Sequence, residues 1–325
     1  MTNLDARRAQ NIGASECPAL FSLPWGVEFG EDRFKPFETR FHLWQRKAGR
    51  LPDVAVDTPR TFWGRHLEPA IAAGIQELTG WQLVPGRFTE HPGVPGMSCT
   101  PDYCATIGAG VTQAATLEVK NVDRLEYRDW PERIEPGVWI WSDGSWQEAR
   151  RQPPFRIKLQ LQHQLACTGH QIGLLGALIG GNDPQFYRMA AHPGVAARIE
   201  AEVIAFWKSI EANDPPSPDW QLDGATIAAL LGFSTPGLVK DLRGDALASE
   251  AAQDYDEARA VAKEAKERME AAKAKLLHLT GTAERAVLDD GFSVSAKTIE
   301  GCSISYFREP YRDFRLTQKK GRTRR

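Results

Sequence analysis

The 325-residue chain is 42% hydrophobic and 25% charged with a net charge of −2, the balance of a globular protein with room for one large domain or two modest ones. No apolar run approaches membrane-span length and the start, Met1 to Arg8, lacks an apolar secretory stretch, so a cytoplasmic protein is expected. Five scattered cysteines (Cys17, Cys99, Cys104, Cys167, Cys302), none in Cys-x-x-Cys spacing, speak against a disulfide framework or zinc finger and for reduced, buried thiols.

Residues 8–21 read as a loop leading into a short helix, with Ser15 as its N-cap. Helices are predicted over 37–47, with Phe37, Phe41 and Trp44 on one face, and over 61–79, with Leu67, Ile71, Ile75 and Leu78 at helical intervals and Gly80 as the stop. Residues 81–89 look like a strand. A second strand ends near Asp102, a Gly-rich turn surrounds Gly108, and a third strand covers 115–121.

Residues 138–146 carry Trp139, Trp141 and Trp146 and read as a hairpin turning at Asp143-Gly144. A helix over 157–168 ended by Gly169, an apolar strand over 172–179 and a helix over 194–212 follow. Pro215, Pro216 and Pro218 mark a boundary, giving a first domain at 1–214 and an extension at 215–325. In the extension, small and apolar residues from Ala248 to Leu279 step by three and four, a heptad seam on one long helix over about 246–280. That helix serves either assembly or an intrachain hairpin. A strand pair at 291–298 and 303–307 precedes the C-terminal tail.

Charge is unevenly spread. Between Arg308 and Arg325 eight Lys or Arg face two acids, a local balance of +6 that leaves −8 for the rest of the chain. The tail reads as a phosphate-attracting arm or as a solubilising terminus.

The chemistry concentrates at Pro101-Asp102 and, sixteen positions later, Glu118-Val119-Lys120. Strand alternation turns Glu118 and Lys120 to one face while Leu117 and Val119 take the other. Two carboxylates and an ammonium meeting at one point suit a divalent ion and an activated water for phosphodiester hydrolysis. This is the core pattern of the PD-(D/E)XK nucleases.

Four blocks in order widen the match: Ile12-Gly-Ala-Ser15, Gly64-Arg-His-Leu-Glu68, Ser98-Cys-Thr-Pro-Asp102 with Leu117-Glu-Val-Lys120, and Leu159-Gln-Leu-Gln-His-Gln-Leu165 ending at Thr168-Gly169. Over residues 8–210 the chain resembles the YqaJ-type viral recombinase family, which groups with phage lambda exonuclease. The resemblance implies an α/β (α+β) core with a central mixed sheet flanked by helices, the long helix and hairpin being appended to it. It makes Asp102 and Glu118 ligands of Mg²⁺ or Mn²⁺, with the Val119 carbonyl and Glu68 completing the site. Lys120 would orient or deprotonate the water, an ammonium beside a metal site being expected to titrate easily, and Gln160 belongs to the active site.

His163 and Gln164 share the helical face of Gln160 and are assigned as DNA contacts, Gln162 less firmly. Ser15 and Arg8, seven apart, match the serine and arginine that hold a 5′-phosphate in lambda exonuclease; Arg7 is the substitute for Arg8, and capping is the alternative for Ser15. The family aromatic three positions before the first glutamine is Ile157 here, so its role is not carried over. The tryptophans read as hairpin packing, with Trp146 or Trp130 as the alternative base wedge.

The resemblance thus implies a metal-dependent 5′→3′ exodeoxyribonuclease of a phage or prophage, acting on linear duplex DNA with 5′-phosphate ends. It also implies a single-strand annealing protein as partner and a trimeric assembly. An endonuclease of restriction or repair type, or a non-catalytic DNA-binding assembly protein, are the alternatives on the same scaffold.

Overall fold

The computed structural model describes residues 3–21, 37–52, 58–108, 113–132, 138–142, 145–148, 151–308 and 310–316. The chain divides into two compact units, 1–230 and 231–325.

A seven-stranded mixed sheet is the frame of the first unit. Its strands are β1 (Gln82–Pro85), β4 (Tyr103–Ile107), β5 (Gln113–Val122), β6 (Val138–Ser142), β7 (Ser145–Glu148), β8 (Ile172–Ile179) and β9 (Asp183–Ala190), in spatial order β1-β4-β5-β8-β9-β6-β7. Two-residue strands β2 (Thr89–Glu90) and β3 (Ser98–Cys99) pair separately. Only β5 and β8 run parallel among the sheet's pairings described; the others are antiparallel. Helix α1 spans Asn3–Ala9, α2 Arg40–Lys47, α3 Pro59–Thr79, α4 Arg124–Arg128, α5 Phe155–Thr168, α6 Pro193–Glu211 and α7 Gly224–Leu231.

Helices α3 and α5 cover opposite faces of the sheet. Ile75 of α3 packs with Leu117, Val119, Ile172 and Leu174, whereas Ile157 and Leu161 of α5 pack with Val122, Leu175, Ala177 and Ile179. Each such fully buried aliphatic chain contributes about 1.5–3 kcal/mol. Strand β8 is apolar on both faces because both are covered. Its glycines permit that closeness: a Cβ on Gly173 would meet Leu161 at 2.6 Å, and one on Gly176 would meet Ile75 at 2.4 Å.

Local signals explain the ends of the two helices. At the start of α3, Thr58 and Thr61 form a reciprocal capping box with Pro59 in the first turn; Gly80 (φ 71°) closes the far end. Pro69 inside α3 removes one helical N–H directly after Glu68. Gly169 (φ 72°) ends α5.

Several expectations need correction. Helix α2 begins at Arg40, with Thr39 capping the His42 N–H; Phe37 is exposed, while Phe41 and Trp44 are buried. Ser15 does not cap a helix: the short segment Cys17–Leu20 is 3₁₀, its N-cap is Glu16, and α1 lies upstream of it instead. Trp130 is a core residue between Tyr127 and Tyr187, not a wedge. The hairpin β6–β7 pairs Trp141 with Trp146, while its turn at 143–144 and the Trp146 side chain lie outside the described residues. Cys17, Cys99 and Cys167 are buried free thiols.

In the second unit, α8 (Ala246–Thr280) starts at an Asp245 cap. Its seam side chains are largely exposed, and Tyr255 stacks edge-on against Phe314. The strand pair falls at Arg285–Val287 and Ser293–Ser295, earlier than the pattern suggests, and 303–307 form no regular element. Three-residue strands carry too few alternations to be read from a sequence. The tail beyond residue 316 lies outside the described residues. Among the described residues no helix is long and apolar enough to cross a membrane.

Candidate active site

Strand register brings the acids together. Tyr103 pairs with Leu117 across β4 and β5, so Asp102, one step before β4, comes beside Glu118. The Val119 N–H donates to Asp102 Oδ2 at 2.8 Å and fixes that carboxylate. Backbone position is fixed too, because the Gly86 N–H donates to the Asp102 carbonyl at 2.9 Å. A Cβ on Gly86 would lie 1.9 Å from the Pro101 oxygen, so only glycine allows this approach.

Glu118 and Lys120 share the α5 face of β5. The Glu118 carboxylate is buried and receives Gln160 Nε2 on Oε1 at 2.5 Å and Gln164 Nε2 on Oε2 at 2.6 Å. Lys120 also pairs with Glu118 Oε1, its own side chain remaining 32% exposed. Glu68, on α3, is partly buried. Burial, and secondarily Glu118, raise its pKa, whereas Lys120 lowers it.

Charge crowding marks the site. Asp102 is pushed up to about 8, first by burial and then by Glu118, against the pull of Lys120 and the Val119 N–H. Burial alone would lower Lys120, but Glu118 and then Asp102 outweigh it and raise its pKa. With these carboxylates beside it, Lys120 is favoured as the ammonium.

Hard carboxylate oxygens from Asp102, Glu118 and Glu68 suit a divalent cation of the Mg²⁺ or Mn²⁺ type. The fit rests on donor chemistry and charge. Among the described residues no three acidic, His or Cys side chains form a ready-made cage.

A cavity of about 450 Å³ is lined by Asp102, Glu118, Lys120, Gln160 and Gln164, and also by Arg8 and Ser15. Arg8 approaches Thr100 Oγ1 at 3.4 Å. Arg7, the proposed substitute, instead pairs with Glu90 at 2.9 Å and lies over the Phe88 ring. Two cations that the sequence reading passed over, Arg46 and Lys47 at the end of α2, line the same cavity. Glu16 organises them, taking Arg46 on Oε1 at 2.6 Å and Lys47 on Oε2 at 2.9 Å, and it also accepts the Gly13 N–H at 2.9 Å. Lys47 further donates to the Asn11 carbonyl at 2.7 Å, which ties the Ser15 loop to α2. The signal available in sequence was a basic pair in the last turn of a helix, a common way to complement the helix dipole.

Two assigned DNA contacts are buried. His163 has no exposed area, and its Nε2–H donates to the Ser98 carbonyl at 2.9 Å. Burial pushes its pKa down to about 4. Gln164 is likewise buried, with its amide committed to Glu118. The doubtful Gln162 bridges the Ala190 carbonyl and the His192 N–H, which makes it a packing link.

A mixed sheet carrying paired carboxylates, a lysine two residues on and a clamping glutamine helix is the arrangement of a nuclease. The chain belongs to the YqaJ-like viral recombinase domain family, whose sequence model matches residues 4–171. That family is one of divalent-metal-dependent nucleases. Similar solved structures include the alkaline exonuclease LHK-Exo from Laribacter hongkongensis (18% identity, TM-score 0.44, covering 64% of this chain and 92% of that one). The same enzyme with dAMP gives 18% identity and a TM-score of 0.43, covering 64% and 91%. A SOX–DNA complex gives 11% identity and a TM-score of 0.36, covering 65% and 68%. No protein of curated function matches the chain.

Proposed function

We propose that the protein is a metal-dependent 5′→3′ exodeoxyribonuclease that digests one strand of linear duplex DNA from a 5′-phosphorylated end. The observation that carries this reading is the shared cavity: the carboxylate–lysine cluster and the cations Arg8, Arg46 and Lys47, with Ser15, line one space. A terminal phosphate held by the cations and the Ser15 hydroxyl would set the first linkage of the strand against Asp102, Glu118 and Lys120.

Asp102, Glu118, the Val119 carbonyl and Glu68 would hold Mg²⁺ or Mn²⁺. When bound, such an ion polarises the scissile phosphate and acidifies a water. The protein's own groups do the rest. Gln160 and Gln164 hold the Glu118 carboxylate, the Val119 N–H holds Asp102, and the Lys120 ammonium offsets negative charge gathering on the phosphate. The 3′ strand left behind is material for an annealing protein. A ring of three copies is the assembly the family resemblance suggests.

The test is digestion of labelled duplex in Mg²⁺ by the wild type and Lys120→Ala, on linear DNA with 5′-phosphate, linear DNA with 5′-hydroxyl, and closed circles. Lys120→Ala should be slower by about 10²–10³-fold. The wild type should prefer the phosphorylated end and spare the circles. Equal digestion by both proteins would sink the catalytic assignment, and cut circles would turn the enzyme into an endonuclease.

A further inference from the structure

Gln164 is costly where it stands. It is 1% exposed, and its Oε1 has no hydrogen-bond partner among the described residues. A leucine or methionine would fill the same volume with no orphan acceptor of its own, but it would take the donor away from Glu118 Oε2. The opposite amide orientation would turn Oε1 toward the Glu118 carboxylate, oxygen against oxygen. The orientation that leaves Oε1 unpaired is therefore the one that gives Glu118 a donor.

Its backbone is pinned as well. The Gln164 carbonyl accepts the Thr168 hydroxyl at 2.9 Å and the Cys99 thiol at 3.9 Å. Gln160 sits one helical turn earlier and grips the other oxygen of the same carboxylate. With one amide on each oxygen, neither the tilt nor the rotation of the Glu118 head group is left free.

We infer that Gln164 is a positioning residue that fixes the Glu118 carboxylate for cation binding, rather than a DNA contact or a packing residue. The inference rests on the proposed function, in which Glu118 is a ligand. Groups that orient a metal ligand typically change affinity or activity by about 10–100-fold when removed.

The full-length protein is titrated with Mn²⁺ alone by calorimetry, as wild type, Gln164→Met and Glu118→Gln. Gln164→Met should bind Mn²⁺ about tenfold more weakly, with kcat reduced and KM for duplex unchanged. Gln164→His, which keeps an N–H at similar reach, should recover part of the affinity. Wild-type Mn²⁺ affinity in Gln164→Met overturns the inference, and a lowered melting temperature with unchanged affinity makes the residue merely structural, which overturns it too. Should Gln164→Met not fold, Gln164→Leu serves the same comparison. If Glu118→Gln itself leaves Mn²⁺ affinity intact, the proposed function falls. If Glu118→Gln weakens binding and Gln164→Met does not, only the role of Gln164 falls.

Discussion

Asp102, Glu118 and Lys120 stand on or beside two neighbouring strands, within one stretch of the chain, and are held by backbone register and by two glutamines of α5. Arg8, Ser15, Arg46 and Lys47 line the same cavity but come from α1, the loop after it and the end of α2, joined through Glu16 and Lys47. The acidic set is rigid because the sheet positions it. The basic set is held by polar links between segments: Glu16 to Arg46 and Lys47, Glu38 to Arg46, and Lys47 to the Arg8 and Asn11 carbonyls. On the proposed function the difference suits two tasks: hydrolysis needs fixed geometry, whereas anchoring a charged strand end needs only converging positive charge.

The largest effect should come from breaking the acidic set. Glu118→Gln keeps the shape and removes the charge, and should slow digestion of 5′-phosphorylated duplex by at least about 10²–10³-fold. Single-turnover kinetics in Mg²⁺ would measure it, and a rate within a fewfold of wild type would dissolve the contrast.

His163 bonds to Ser98, which lines the same cavity, so its depressed pKa makes acid a probe of the packing behind the site. Its folded pKa of about 4 lies below the unfolded value of 6.5, so the neutral form is favoured by folding. The stability it contributes is complete above pH 6.5 and is lost as pH falls toward 4. The loss should amount to about 3 kcal/mol. Urea unfolding across that window should show the slope, and His163→Gln should flatten it.

Glu16→Ala attacks the basic set at its joint. It leaves Lys47, whose side chain is 3% exposed, without its carboxylate, and should cost about 2–3 kcal/mol in urea unfolding. It should also raise KM for phosphorylated ends while leaving kcat near wild type. A fall in kcat with constant KM would show that the two sets are coupled rather than separate.

Arg8→Ala should have the smallest effect, because the side chain is exposed and makes only a long contact to Thr100. About a tenfold loss of preference for 5′-phosphate over 5′-hydroxyl is expected, with no change in stability. Competition between the two labelled ends in one reaction reads it directly.

Legibility in sequence follows the same divide. The strand alternation Leu117-Glu118-Val119-Lys120 is a local, period-two pattern, and Gln160 and Gln164 share a helical face at any tertiary arrangement. The long helix at 246–280 is read from spacing for the same reason. What α5 faces is not local. Gln164 looked outward until the sheet placed Glu118 against it, and His163 looked like a contact until Ser98 closed over it. Ser15 carried a cap signal that the chain does not use, since Glu16 takes the cap position and spends its side chain on Arg46, Lys47 and Gly13.

By itself the sequence determined which residues carry charge and which share a face, because helix and strand periods are set by backbone geometry over a few residues. Only the tertiary structure decided that Glu118 is clamped by two amides, that Lys120 pairs with Glu118, and that Arg46 and Lys47 join the cavity. Those outcomes depend on burial and on distances between segments far apart in the chain, and no spacing along the chain encodes either.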